Sequence, residues 1–107
     1  MADGRIDHPM YLIQIFLPVT PSQGITHLHE VRETLASRFG GVTAYAQSPA
    51  KGLWKDRSQR IVEDEVVVME VMVEEIDRPW WKDYQQKLEA LLGQDEILVR
   101  TMQIERL

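Results

Sequence analysis

Cysteine is absent from the 107-residue chain, and long apolar runs are absent as well. Without cysteine there is no disulfide framework, no thiolate zinc site, no iron–sulfur cluster and no cysteine nucleophile. No window approaches the ~18 apolar residues of a membrane-spanning helix. The polar first ten residues also lack the apolar core of a signal peptide. We therefore expect a soluble protein of the cytoplasm.

The motifs of the common nucleotide-binding, hydrolase and metalloprotease sites are also missing, namely GxGxxG, the Walker A sequence, GxSxG and HExxH. The chain carries 17 acidic against 12 basic residues, a balance that repels nucleic acid and anionic membranes. His27 and His29 lie two positions apart on a predicted helix and therefore cannot bind one metal ion together. We predict no cofactor, no metal site, no nucleic acid partner and no membrane partner.

What the chain does contain is a regular alternation of strand and helix signals. Its length predicts one domain, which we place at residues 10–107 after a flexible N-terminal segment over residues 1–9. β-formers and alternating apolar residues predict four strands, the first ended by Pro18 and the second interrupted by a loop or bulge at Ser48–Gly52. The predicted strands are Met10–Leu17, Val42–Lys55, Ile61–Glu74 and Glu96–Ile104.

Two helices are predicted from apolar residues at the helical period and from their end signals. The first begins at Thr26, a good N-cap residue, and ends at Gly40–Gly41. The second follows Asp77, with Pro79 in its first turn, and ends at Gly93. The order is strand, helix, strand, strand, helix, strand. It predicts an α+β fold of the ferredoxin-like type, a βαββαβ sandwich in which two helices cover one face of a four-stranded antiparallel sheet.

The two faces of this sheet differ from the usual pattern of one apolar and one polar face. Side chains alternate along a strand, and the set that we assign to the helix-covered core is almost wholly apolar. The other set should be polar in a monomer, because no helix covers it. It nevertheless contains many large apolar side chains, and contiguous apolar surface of this kind marks an interface or a binding groove. These are Leu12, Phe16, Val66, Val68, Met72, Leu98 and Met102.

Four polar residues lie among these apolar ones and are our candidate site: Gln14, Tyr45, Glu70 and Arg100. One interpretation is a Glu70–Arg100 pair, with hydrogen bonds from the other two, that sets the register of a dimer. The alternative is a small-molecule site in which Glu70 acts as a general base and Tyr45 or Arg100 stabilises an oxyanion. Trp54, two positions after Gly52, is a further candidate ligand-binding residue at the mouth of such a pocket.

Two segments of the chain are similar to the sequences of a known group of proteins. Gly40–Asp56, with its sequence GGVTAYAQSPAKGLWKD, and Asp77–Trp81, with DRPWW, resemble a group of small bacterial proteins with an RFGG, VTAY and PAxGLW pattern. More broadly, the chain is similar to the dimeric α+β barrel superfamily. That resemblance implies a homodimer and allows enzymes such as cofactor-independent monooxygenases and lactone isomerases, as well as non-catalytic members.

These observations lead to two functional hypotheses. The first is a dimeric binding or structural module joined through its open sheet face, with a small ligand as a further possible occupant. The alternative is a cofactor-independent monooxygenase- or isomerase-type enzyme, with a cavity on that face lined by Glu70, Tyr45 and Arg100 and covered by Pro49–Trp54.

Overall fold

The computed structural model describes residues 9–19, 24–55 and 58–107, and of residues 19, 24–26, 45–54 and 62–64 it describes only the backbone. The predicted N-terminal segment lies outside these residues except for Pro9. The elements are β1 (Met10–Val19), α1 (Gly24–Phe39), β2 (Thr43–Lys55), β3 (Ile61–Val73), α2 (Arg78–Leu92) and β4 (Leu98–Ile104). Neither helix is long and apolar enough to cross a membrane.

The four strands form one antiparallel sheet in the order β2-β3-β1-β4. This confirms the predicted βαββαβ, ferredoxin-like α+β fold. The first and third strands are the central ones, which is why both are apolar on their two faces. β4 is an edge strand and pairs with β1 only from Met10 to Phe16.

The core lies between the sheet and the two helices, and its buried residues are apolar, as the sequence predicts. Odd-numbered residues of β1 and β3 point into it, because successive side chains of a strand alternate between faces. α1 contributes Val31 and Leu35, and α2 contributes Trp81 and Leu88. The buried residues of this cluster are Ile13, Ile15, Leu17, Val31, Leu35, Val67, Met69, Val71, Trp81, Leu88 and Ile97.

An aromatic cluster joins the two helices at one end of this core. Trp81 stacks on Phe39 with ring centroids 5.3 Å apart, and Trp80 meets Phe39 edge to face at the same distance. Tyr84 stacks on Trp80 at 4.8 Å, and the Arg38 guanidinium lies 4.3 Å from the centroid of the Trp80 ring. Trp80 and Trp81 thus anchor α2 to α1 at this end of the core.

The helix ends follow the predicted signals, with one shift. Asp77 caps α2 by accepting a hydrogen bond from the Trp80 amide at 3.1 Å, and Gly93 ends it in the left-handed conformation at φ 63°. Gly40 ends α1 at φ 80°. α1 begins at Gly24, so the helix starts before Thr26, its predicted N-cap.

One strand prediction requires correction, and the structure decides between two alternatives left open for another strand. β1 continues through Pro18, which pairs with Val66 of β3. β4 has already ended opposite Phe16, so the proline, which has no N–H to donate, has a ladder on one side only. β2 is one strand with a register shift between Tyr45 and Ala50, so the interruption predicted at Ser48–Gly52 is a bulge and not a loop that divides the strand.

Candidate functional site on the open sheet face

The face of the sheet that the helices leave uncovered carries the candidate site. It is formed by even-numbered residues of β1, β3 and β4, the strand positions that alternate with the core residues. Several large apolar side chains on it remain exposed, namely Met72 at 51%, Met102 at 41% and Leu98 at 39%. We call this surface the open face.

The strand register arranges the open face in rows that run across the sheet. One apolar row consists of Met72, Leu12 and Met102, and a second one consists of Val68, Phe16 and Leu98. A polar row lies between them, because Gln14 is opposite both Glu70 and Arg100. Thr43 of β2 pairs with Glu70 and extends this row to the other edge of the sheet.

Gln14 connects the two charged residues of the polar row. Its Nε2 donates to Glu70 Oε2 at 2.6 Å, and its Oε1 accepts from Arg100 Nε at 2.7 Å. One amide thus uses both its donor and its acceptor, each toward an ionised partner, and such charge-assisted hydrogen bonds are stronger than neutral ones. Glu70 and Arg100 are therefore linked through the Gln14 amide, and their direct pairing stays a prediction.

The two charges are held apart by the strand between them. β3 and β4 flank β1, so the Glu70 and Arg100 backbones are roughly 10 Å apart, twice the spacing of neighbouring strands. The Arg100 guanidinium also lies over the Phe16 ring, 4.8 Å from its centroid, a cation–π contact that draws it toward the second apolar row. The polar row therefore has a negative end and a positive end.

The backbone register places the remaining predicted site residues away from this row. Tyr45 pairs with Val68, which puts it in line with the second apolar row rather than with Glu70. Trp54 pairs with Val62, about 26 Å along β3 from Glu70 at 3.3 Å per residue. The side chains of Tyr45 and Trp54 lie outside the described residues, and their roles as oxyanion and ligand groups stay predictions.

Thr43 is the member of the polar row that the sequence analysis did not propose. It shares the open face with Gln14 in the alternation pattern, but only the pairing of β2 with β3 brings it opposite Glu70. The general-base role of Glu70 also stays a prediction. Its Oε2 accepts a hydrogen bond from Gln14 Nε2, which fixes the position of the carboxylate.

Among the described residues, no group of three or more histidine, aspartate or glutamate side chains is placed to hold a metal ion. The Glu63–Glu65 run lies largely in the stretch of β3 where only the backbone is described. His27 and His29 each approach a glutamate of their own helix, at 3.8 Å from Glu30 and 3.6 Å from Glu33 respectively.

No family model and no curated protein matches the chain, so the resemblance to the small bacterial group stays a prediction. Solved structures do match. The divalent cation tolerance protein CutA1 of Thermus thermophilus has a TM-score of 0.62 at 12% identity, over 91% of this chain and 85% of that one.

Two further structures align in the same way. CutA1 from Oryza sativa has a TM-score of 0.62 at 10% identity, over 92% of this chain and 82% of that one. CutA from Xylella fastidiosa has a TM-score of 0.57 at 15% identity, over 89% and 83%. At such low identity the likeness establishes the fold alone, and this chain has the ferredoxin-like α+β fold of these proteins.

Proposed function

We propose that the chain is a small binding or structural module that associates with a second copy of itself through the open face. The observation that carries this proposal is the row pattern, in which two apolar rows flank one polar row whose ends have opposite charge. A small molecule enclosed between two such faces would lie beside the same polar row.

The apolar rows supply the driving force for association. Met72, Leu98 and Met102 are between 39% and 51% exposed in the single chain, and covering them removes apolar area at about 25 cal/mol per Å². Two sheets that stack face to face interdigitate such side chains across a layer roughly 10 Å thick. The interface would therefore resemble a second core on the other side of the sheet.

The polar row selects the orientation of the two copies. A two-fold axis parallel to β1, in the plane between the sheets, exchanges the sides on which β3 and β4 lie. Glu70 of each copy then faces Arg100 of the other, which gives two opposite-charge contacts. An axis perpendicular to β1 would place Glu70 over Glu70 and Arg100 over Arg100, and like charges that lose their solvent are strongly unfavourable.

The first prediction tests this orientation with charge reversals. Glu70→Arg leaves two positive groups in the polar row, and Arg100→Glu leaves two negative ones, so each variant alone should be monomeric. A one-to-one mixture should restore the dimer, because every facing pair is then opposite in charge. The double variant Glu70→Arg/Arg100→Glu should also dimerise, since the Gln14 amide can turn over and bond both new partners. Sedimentation at micromolar concentration distinguishes the two states.

The matched control is Arg32→Glu, a reversal at an exposed residue of α1, which should leave the wild-type dimer intact. A wild-type protein that stays monomeric at these concentrations would overturn the proposed association. Single reversals that dimerise as well as the wild type would overturn the crossed arrangement of the polar rows.

A further inference from the structure

A cleft of about 200 Å³ lies on the helix side of the sheet, between α2 and the edge strand β4. It is separate from the open face and from the polar row described above. Its apolar floor includes Ile13 and Val99, and α2 contributes Arg78, Trp81, Lys82 and Gln85. None of the residues that line it is acidic, although the chain as a whole carries a net charge of −5.

The cations that α2 contributes to the cleft are Arg78 and Lys82. Arg78 and Lys82 lie one helical turn apart, and neither forms an ion pair with any described residue. The two acidic residues next to them in sequence, Asp77 and Asp83, are engaged elsewhere. Asp77 caps the helix and pairs with Arg38 at 3.2 Å, and Asp83 pairs with Lys87 at 3.3 Å.

A buried donor of the cleft wall also lacks an acceptor. Trp81 is only 6% exposed, and its indole Nε1 has no hydrogen-bond partner among the described residues. Buried N–H groups are normally paired, because leaving one unsatisfied costs the free energy of its lost hydration. Trp81 thus leaves one buried donor of the cleft wall without a partner among the described residues.

Arg100 lines the cleft as well, but its guanidinium belongs to the other side of the sheet. It donates to Gln14 and lies over Phe16 on the open face. The cations available to the cleft are therefore those of α2, which the substitution of Arg78 or Lys82 can test without disturbing the polar row.

From this arrangement we propose that the cleft binds a small carboxylate with an apolar body. Arg78 and Lys82 attract the carboxylate, and Ile13, Trp81 and Val99 line the space for the apolar part. The cleft is smaller than the roughly 300–1,000 Å³ of sites for drug-sized ligands, so a ligand of one ring or a short chain fits it. The proposal does not depend on self-association.

The second prediction uses benzoate as the probe and benzamide as its neutral analogue of the same shape. Benzoate should shift the indole N–H resonance of Trp81 in a saturable way, with a Kd on the order of 1 mM for so small a ligand. That resonance is identified by elimination in Trp54→Phe and Trp80→Phe. Lys82→Ala and Arg78→Ala should each weaken binding about three- to tenfold, a range set by the partial exposure of both charges.

Lys87→Ala is the matched control, because it removes a charge from the same helix outside the cleft and should leave the Kd of benzoate unchanged. Equal binding of benzamide would overturn the recognition of a carboxylate. An equal loss of benzoate affinity in Lys87→Ala and Lys82→Ala would mean that the net charge of the protein, and not a contact in the cleft, causes the loss. Absence of a saturable shift of the Trp81 resonance would overturn the site itself.

Discussion

The uncharged side chain of Gln14 connects the two charged residues of the polar row. Its amide meets a carboxylate on one side and a guanidinium on the other, at 2.6 and 2.7 Å. A leucine at this position would join the apolar rows into one patch but would leave two charges of opposite sign without their link. The polar row therefore makes an otherwise apolar face asymmetric, with a negative side and a positive side.

Tyr84 occupies a different kind of position, at the edge of the aromatic cluster. Burial raises the pKa of its hydroxyl, and a hydrogen bond with the Thr34 side chain lowers it part of the way back. Because the folded protein holds this proton more tightly than the unfolded chain does, Tyr84 contributes stability below its ordinary pKa. That contribution is lost as the pH rises through the folded-state pKa.

The third prediction follows from this linkage. Tyr84→Phe should remove part of the loss in unfolding free energy that the wild type shows above about pH 10. The difference should be smaller than the roughly 1.4 kcal/mol per pH unit that one proton allows, because Tyr84 is only half-buried. Urea unfolding of both proteins from neutral to alkaline pH measures it. A difference that stays constant across this range would contradict the prediction.

At the scale of the elements, α2 is fixed at both ends by caps and along its length by hydrogen bonds to the residue before β4. Asp77 caps its start, Gly93 ends it, and two of its side chains tie it to the approach to β4. Gln85 Nε2 donates to the Ile97 carbonyl at 2.5 Å, and Glu89 Oε2 accepts from the Ile97 amide at 3.1 Å. Both backbone groups of a buried residue that precedes β4 are thereby satisfied.

The fourth prediction concerns the cap of this helix. Asp77→Ala should lower the free energy of unfolding by about 1 kcal/mol, because the Trp80 amide loses its acceptor. The exposed ion pair with Arg38 adds little to that cost. Asp77→Asn keeps a capping oxygen and should cost only a few tenths of a kcal/mol. Chemical denaturation of the three proteins compares them, and equal losses for both variants would argue against capping as the cause.

The whole molecule has one core that its own helices cover and one apolar face that they do not. The two faces follow from a single alternation pattern in the central strands, where both sets of side chains are apolar. In a sheet of this topology the two helices occupy one side, and on the other side apolar side chains such as Met72 and Met102 are exposed in the single chain. The proposed self-association would cover them with the chain's own surface.

The fifth prediction separates the open face from apolar exposure in general. Met72→Glu should weaken dimerisation on the order of a thousandfold in Kd, since two copies of the new charge would be buried at the interface. Ile61→Glu is the control at the opposite end of β3, where Ile61 is 70% exposed, and it should leave the Kd unchanged. Sedimentation across a dilution series measures both, and equal effects would argue against the open face as the interface.

The sequence by itself determined the order of the elements, the ends of α2 and the division of the strands into two faces. These features depend on neighbours a few positions apart, such as Asp77 with Trp80 or Ile13 with Ile15, whose spacing is visible in the chain. The continuation of β1 through Pro18 could not be seen in the same way, because it depends on where β4 ends.

Only the tertiary structure decided which distant residues share a row. Register is a relation between strands, so the link from Glu70 through Gln14 to Arg100, the inclusion of Thr43 and the separation of Trp54 all arise from pairing. The cleft beside Trp81 has the same origin. Arg78 and Lys82 are ordinary surface residues in the sequence, and they line one cleft with Val99 only because α2 lies beside β4.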